Sequence, residues 1–233
     1  MTVLSRERRL SEGEVLLLDK PKGWTSFDVV NKIRRLFRVK KVGHAGTLDP
    51  LATGLLLVCT GRKTKEMQEF VGLEKEYEAE MIIGARTASY DAATPVLETR
   101  PIEGITAGLV RETLAGFVGT QKQIPPMYSA ARVDGRRLYA LARKGREVER
   151  RPREIVIRSI TPTVVDLPVV RFTVVCSKGT YIRALVHDIG ERLGCGAYLT
   201  ALRRTRIGNY RLEDAVTIDD LIAHQDRYRE MPS

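Results

Sequence analysis

The first residue of this 233-residue chain that could do chemistry is Asp49, in the segment Gly43-His44-Ala45-Gly46-Thr47-Leu48-Asp49-Pro50-Leu51-Ala52-Thr53-Gly54. A carboxylate there can add covalently to an electrophile or stabilise developing positive charge. Gly43, Gly46 and Gly54 permit unusual backbone angles and close approach of a ligand. Taken alone, however, Asp-Pro is a common loop dipeptide, and an aspartate bonding to nearby backbone amides is the simpler explanation. His44 has no second His or Cys at ligand spacing, so a hydrogen-bonded loop histidine is its default. Tyr77 falls on the apolar side of an alternating run, where a tyrosine is by default core. Arg183 is harder to dismiss. In Lys178-Gly179-Thr180-Tyr181-Ile182-Arg183 it begins a helical pattern whose N-terminal dipole disfavours cations, so some anion should compensate it.

These residues need elements to hold them. Residues 15–18 read as a short buried strand, closed by the loop Asp19-Lys20-Pro21-Lys22-Gly23, which presents two lysines. Thr25 or Ser26 can cap a helix in which Phe27, Val30, Ile33 and Phe37 recur at helical spacing, with Lys32, Arg34, Arg35 and Arg38 elsewhere around it. Residues 40–53 show no period and lead into a strand-length apolar run at 55–60. From Glu74, Tyr77, Ala79, Met81 and Ile83 alternate with Glu76, Glu78 and Glu80, as in a half-buried strand, so Tyr77 should point inward or into a cleft. Thr106 can cap a helix through Phe117. Strand-like runs at 155–160 and 169–176 precede a helix at about 180–193 with the stripe Ile182, Leu185, Val186, Ile189 and Leu193, and Arg183 lies off that stripe. A strand over 197–207, a short helix near 217–223 and a charged tail complete the chain. Without regular βαβ alternation, α+β with a largely antiparallel sheet is expected.

Hydrophobic residues make up 43% of the chain, enough for a substantial core in one large domain or two small ones. Its 39 Lys and Arg against 29 Asp and Glu give +10, which favours a polyanionic partner, nucleic acid first. Residues 122–153 alone hold ten Lys or Arg and three Asp or Glu. This segment begins with the break Ile124-Pro125-Pro126-Met127-Tyr128, contains the tight turn Val133-Asp134-Gly135-Arg136 and a short helical stretch at 138–144, and is expected to be an RNA-binding insertion. Cys59, Cys176 and Cys195 are odd in number and lack zinc-site spacing, so reduced, buried, structural thiols are expected and no metal is implied. No apolar run approaches the ~20 residues that span a bilayer, and no signal-peptide pattern follows the charged N-terminus, so a cytoplasmic location is expected.

Six segments together resemble the TruB family of tRNA pseudouridine synthases. They are Lys20-Pro21-Lys22-Gly23-Trp24-Thr25-Ser26, the run from His44 to Gly54, Lys75-Glu76-Tyr77, Gln123-Ile124-Pro125-Pro126-Met127-Tyr128-Ser129-Ala130, Cys176-Ser177-Lys178-Gly179-Thr180-Tyr181-Ile182-Arg183, and Leu202-Arg203-Arg204-Thr205-Arg206. Their family order covers almost the whole chain. The resemblance implies a pseudouridine synthase catalytic fold, mixed α/β with a central, mainly antiparallel sheet and helices flanking it. It also implies a uridine substrate at position 55 in the T arm of tRNA. By matching motifs Asp49 is the nucleophile, Tyr77 the residue stacked on the base and Arg183 the ionic partner of Asp49. Tyr181 and Leu202 resemble base-pocket residues, Lys20 belongs with the substrate-binding residues, and His44 resembles the histidine that helps displace the uridine. The basic insertion resembles the family's thumb, with Arg132, Arg136, Arg137, Arg143, Lys144, Arg146 and Arg150 facing RNA. A single catalytic domain over 1–233 follows, without the RNA-binding PUA domain that many bacterial members carry after it, since about 25 residues follow Ile207. Neither guide RNA nor an obligate protein partner is implied.

The chemistry breaks a C–N glycosidic bond, turns the uracil and forms a C–C bond to the same sugar. No atoms enter or leave, so no cofactor is expected. Whether the carboxylate attacks the sugar or the base is open. Two rivals are a tRNA-binding or tRNA-folding module with little turnover, because fold does not prove catalysis, and an aspartate-dependent nucleoside hydrolase releasing uracil.

Overall fold

A computed structural model describes residues 10–129, 132–133, 135–142, 145–146 and 148–225, with the backbone alone at 132, 133, 136, 137 and 140. In chain order it holds β1 (Val15–Lys20), α1 (Ser26–Phe37), β2 (Val42–His44), β3 (Thr53–Thr60), a 3-10 helix (Gly61–Glu66), α2 (Met67–Gly72) and β4 (Lys75–Ile83). There follow β5 (Ala85–Thr87), β6 (Val96–Thr99), α3 (Ala107–Ala115), β7 (Gly119–Gln123), β8 (Arg132–Val133), β9 (Arg136–Arg137) and α4 (Leu138–Ala142). The last elements are β10 (Arg153–Asp166), β11 (Val169–Cys176), α5 (Ile182–Leu193), β12 (Ala197–Ile207), β13 (Tyr210–Arg211), β14 (Val216–Thr217) and α6 (Ile218–Ala223). Two compact units result: one holds the described residues through Tyr77 and from Arg203 onward, the other Glu78–Leu202.

In the first unit, β1 pairs antiparallel with β3 from Val15↔Cys59 to Lys20↔Gly54 and parallel with β14. β3 also pairs antiparallel with β2 and, at Arg203↔Thr53 and Arg204↔Gly54, parallel with β12. Both faces of β3 are covered: Leu56 and Val58 pack with Leu16, Leu18, Val29 and Ile33, whereas Leu55, Leu57 and Cys59 pack with Phe70 and Ile207. Double burial explains why its sequence is a continuous apolar run rather than an alternation. Thr25 caps α1 in a capping box, accepting from Asp28 N–H at 3.1 Å while its own N–H donates to Asp28 Oδ2 at 2.8 Å. The buried residues of α1 are Ser26, Val29, Val30 and Ile33. Phe27 is therefore not on the packing stripe: it is 59% exposed, because the i, i+3, i+4, i+7 set begins one residue earlier.

In the second unit, the 14-residue β10 pairs antiparallel with β11 and β7. The β7–β10 register runs from Gly119↔Ile157 to Gln123↔Arg153, so the basic insertion leaves and re-enters the sheet at neighbouring positions. β5 with β6, and β8 with β9, form small antiparallel ribbons. Pairing is mainly antiparallel within each unit and helices flank the strands, the α+β class expected from the sequence. All three cysteines are buried and free of disulfides, and burial pushes the Cys59 thiol up to about 11. Among the described residues, no helix is long and apolar enough to cross a membrane.

Candidate active site

Asp49 sits half-buried between two backbone anchors in the first unit. The N–H of Leu48 donates to the Ser26 hydroxyl at 2.8 Å, and that hydroxyl faces Leu48 O at 3.3 Å. On the other side, Gly23 N–H donates to Pro50 O at 2.7 Å, and Asp49 O accepts from Ala52 N–H at 3.0 Å. Ser26 reaches the loop because it lies in the buried first turn of α1. The sequence marks Ser26 only as a possible cap. The residue that caps is Thr25, which frees the serine hydroxyl to brace the loop.

Lys20 is completely buried and donates to Pro21 O at 2.9 Å and to Trp24 O at 2.6 Å. Burial pushes its ammonium down to about 8; among charges, Asp49 is the foremost one opposing that shift and Arg204 the foremost one adding to it. The unfolded chain thus binds more protons at Lys20 between pH 8 and 10.5, and the folded state gains stability as pH rises through that window. Relative to Lys20→Met, the native chain is expected to gain up to about 3 kcal/mol between pH 7.5 and 10.5. Urea unfolding of both proteins at the two pH values measures this, and parallel pH slopes would remove the depressed lysine.

His44 ends β2, where its Nδ1 is buried with no hydrogen-bond partner among the described residues. Burial, then the charge of Arg204, holds its imidazole below the usual range, so it is neutral at pH 7. Tyr77 is buried at 8% exposure near the start of β4. That end of β4 is tied to β12 by Thr205, whose hydroxyl donates to Glu76 at 2.9 Å, and by Arg206, which pairs with Glu76 at 3.4 Å and Glu74 at 3.1 Å.

In the second unit, Arg183 occupies the second position of α5 and is 3% exposed, although the helical stripe placed it off the packed face. The whole first turn, Ile182 through Val186, is buried, and the anion called for at this cation is present as Asp91. Arg183 Nε lies 3.4 Å from Asp91 Oδ2, Nη1 donates to Ser89 O at 2.8 Å, and Nη2 donates to Tyr128 O at 2.8 Å. Asp91 is itself fixed, accepting from Ser89 Oγ and, at 3.0 Å, from Ala93 N–H. No periodicity marked residues 89–91, so the sequence offered no signal for Asp91. Tyr181 caps α5 with backbone held by one side chain: its N–H donates to Gln123 Oε1 at 2.8 Å, and its carbonyl accepts from Gln123 Nε2 at 3.0 Å. Gln123 heads the motif Gln123–Ala130, and nothing in its spacing marks this contact. Leu202 is buried on β12.

Along the basic insertion, β8 and β9 form the expected turn around Gly135, whose φ of +76° suits glycine, and α4 follows with Leu138 and Leu141 buried. Arg146 and Arg150 line a cavity of about 380 Å³ with Tyr90, Met127 and Tyr128. Arg132, Arg136 and Arg137 fall on β8 and β9, with backbone alone described, whereas Arg143 and Lys144 lie outside the described residues. Among the described residues, no group of three His, Cys, Asp or Glu side chains could hold a metal.

A family model described as the TruB family pseudouridylate synthase N-terminal domain matches residues 34–182. A second, the tRNA pseudouridylate synthase B C-terminal domain, matches residues 183–233. The tRNA pseudouridine synthase B of Phocaeicola vulgatus is 53% identical over 214 residues, 89% of this chain and 91% of that protein. That of Bacteroides fragilis is 54% identical over 211 residues, 88% of this chain and 91% of that protein. In structure, the chain is similar to one in a Cbf5-Nop10-Gar1 complex, with a TM-score of 0.72, 31% identity and coverage of 92% of this chain and 55% of that one. One in an H/ACA RNP bound to a substrate RNA containing 2'-deoxyuridine gives a TM-score of 0.69 at 29% identity, covering 92% of this chain and 53% of that one. The chain spans about half the length of these two structural neighbours.

Proposed function

Because the chain belongs to the TruB family of pseudouridylate synthases, we propose that it isomerises uridine to pseudouridine at position 55 in the T arm of tRNA, with Asp49 as nucleophile. The observation that carries the assignment of Asp49 is its setting: an aspartate whose backbone is held on both sides, and whose charge is the foremost one favouring the protonated form of a buried lysine. A nucleophile held within a fraction of an ångström reacts faster because little orientational freedom remains to be lost. Arg183 is the proposed ionic partner of Asp49, and its guanidinium is pre-oriented by Asp91 and two carbonyls.

A uridine folded into a loop must leave its stack, at a cost of a few kcal/mol that aromatic stacking offsets by about 1–3 kcal/mol. Tyr77 supplies that face, Tyr181 and Leu202 line the base pocket, and neutral His44 helps displace the base. The Tyr77 hydroxyl is a candidate for proton transfer, since a proton leaves the carbon that becomes bonded to the sugar. Tyr77→Phe is expected to lower the single-turnover rate by about 10²-fold with hairpin affinity unchanged. A full rate in that variant would leave stacking as the tyrosine's whole contribution. The basic thumb holds the arm through phosphate contacts that position rather than specify.

The structural neighbours come from H/ACA assemblies, whereas the sequence relatives are named as tRNA enzymes. We assign this chain to the second kind, one catalytic domain acting alone on tRNA in the cytoplasm. Incubating the purified protein with an unmodified T-arm hairpin and analysing the nucleosides tests the proposal. Pseudouridine is expected; free uracil would mark a hydrolase, and tight binding without either product a binding module.

A further inference from the structure

Arg204 is 1% exposed, and no carboxylate among the described residues lies within ion-pair distance of it. A guanidinium removed from water without a counter-charge costs several kcal/mol, and an apolar side chain of similar volume would serve stability better. Its partners are two carbonyls: Nε donates to Leu55 O at 2.7 Å and Nη2 to Gly46 O at 3.1 Å. Gly46 lies three residues before Asp49 and Leu55 six after it.

The far end of that segment is also held by backbone. Arg204 lies opposite Gly54 in the parallel β12–β3 register, and Gly54 has φ +98° with a Cβ direction that would drive into the Arg204 backbone. The guanidinium therefore ties the near end of the loop to an end already fixed in the sheet. A lysine could not do this, because one ammonium lacks the planar fork that spans two separated acceptors. Arg204 is also within electrostatic reach of both Lys20 and His44, the cation and the imidazole on the same unit as Asp49.

Resting on the assignment of Asp49 as nucleophile, we propose that Arg204 is a positioning residue, its guanidinium clasping both ends of the Asp49 loop and its unpaired charge favouring an anion there. Two full-length variants separate the parts: Arg204→Met removes fork and charge, and Arg204→Lys removes the fork alone. The measurements are single-turnover rate and affinity for a T-arm hairpin, amide hydrogen exchange over residues 45–55 against the rest of the unit, and the His44 titration midpoint by NMR. Arg204→Met is expected to lower the rate about 10²-fold, the scale of a misplacement near 1 Å, with affinity within about threefold. It should speed exchange selectively over 45–55 and raise the His44 midpoint. Arg204→Lys should lower the rate about tenfold and loosen the loop, yet leave His44 at its native midpoint.

An unchanged rate in Arg204→Met overturns the proposal. So does exchange that loosens evenly across the unit, or a His44 midpoint that ignores the charge. If Arg204→Met does not fold, a native rate and native loop exchange in Arg204→Lys overturn it equally. If the native protein makes no pseudouridine, the catalytic reading fails by itself, while exchange and the His44 midpoint still decide whether Arg204 clasps the loop.

Discussion

Asp49→Asn is expected to lower the single-turnover rate of pseudouridine formation by at least about 10⁴-fold while leaving T-arm affinity within about twofold. The amide is isosteric with the carboxylate, and the contacts that shape the loop, Leu48 to Ser26 and Gly23 to Pro50, involve neighbouring residues and survive the change. What disappears is the negative charge and the nucleophilic lone pair. The same substitution has a second, independent consequence. Asp49 is the foremost charge holding Lys20 up against the effect of burial, so its loss should carry the Lys20 midpoint below its native value of about 8. Lysine-selective NMR on the two proteins reads that shift. A variant that retains the rate removes Asp49 as nucleophile, and an unmoved Lys20 midpoint removes the coupling that singled the loop out.

The second large effect is on stability. Asp91→Ala takes from the buried Arg183 the carboxylate that lies 3.4 Å from its Nε, and losing one partner of a buried pair costs up to about 3–5 kcal/mol, less what the proposed pairing with Asp49 offsets. Urea unfolding should show that loss together with a lower rate, because Arg183 also loses the group that orients it. The double variant Asp91→Ala with Arg183→Met removes both charges, so it should be more stable than the sum of the single losses predicts. A coupling of at least about 1 kcal/mol is expected from that cycle. Additive losses would mean that the two side chains are independently placed and that the salt bridge contributes nothing of its own.

Several elements were legible because their cause is local. Thr25 and Thr106 cap helices where a side-chain oxygen precedes a helical pattern, a short helix stands at Ile218–Ala223, and β12 occupies residues 197–207 as read from the sequence. The alternation from Glu74 placed Tyr77 correctly on the buried side of β4. Other elements have no local cause. β7 is Gly-Thr-Gln-Lys-Gln, with nothing apolar to alternate, and it is a strand because β10 offers it a ladder. All four residues of β6 are exposed, and β2 is three residues within a stretch without period. These strands exist through pairing, which is a property of two segments at once.

The site divides along the same line. The sequence by itself determined the chemistry-bearing residue types, their order and, through six family motifs, the reaction expected of them, because motif spacing is written along one chain. The charge of +10 and its concentration in residues 122–153 were likewise complete before any folding. Only the tertiary structure decided what stands beside each group. It set Asp91 against Arg183 across 92 residues of chain, stretched Arg204 between Gly46 and Leu55, and turned Ser26 from a possible cap into the brace beside Asp49. The physical reason is that burying a charge or leaving a backbone group unpaired costs free energy, which partners far away in sequence offset, and their distances are set only when the strands pair.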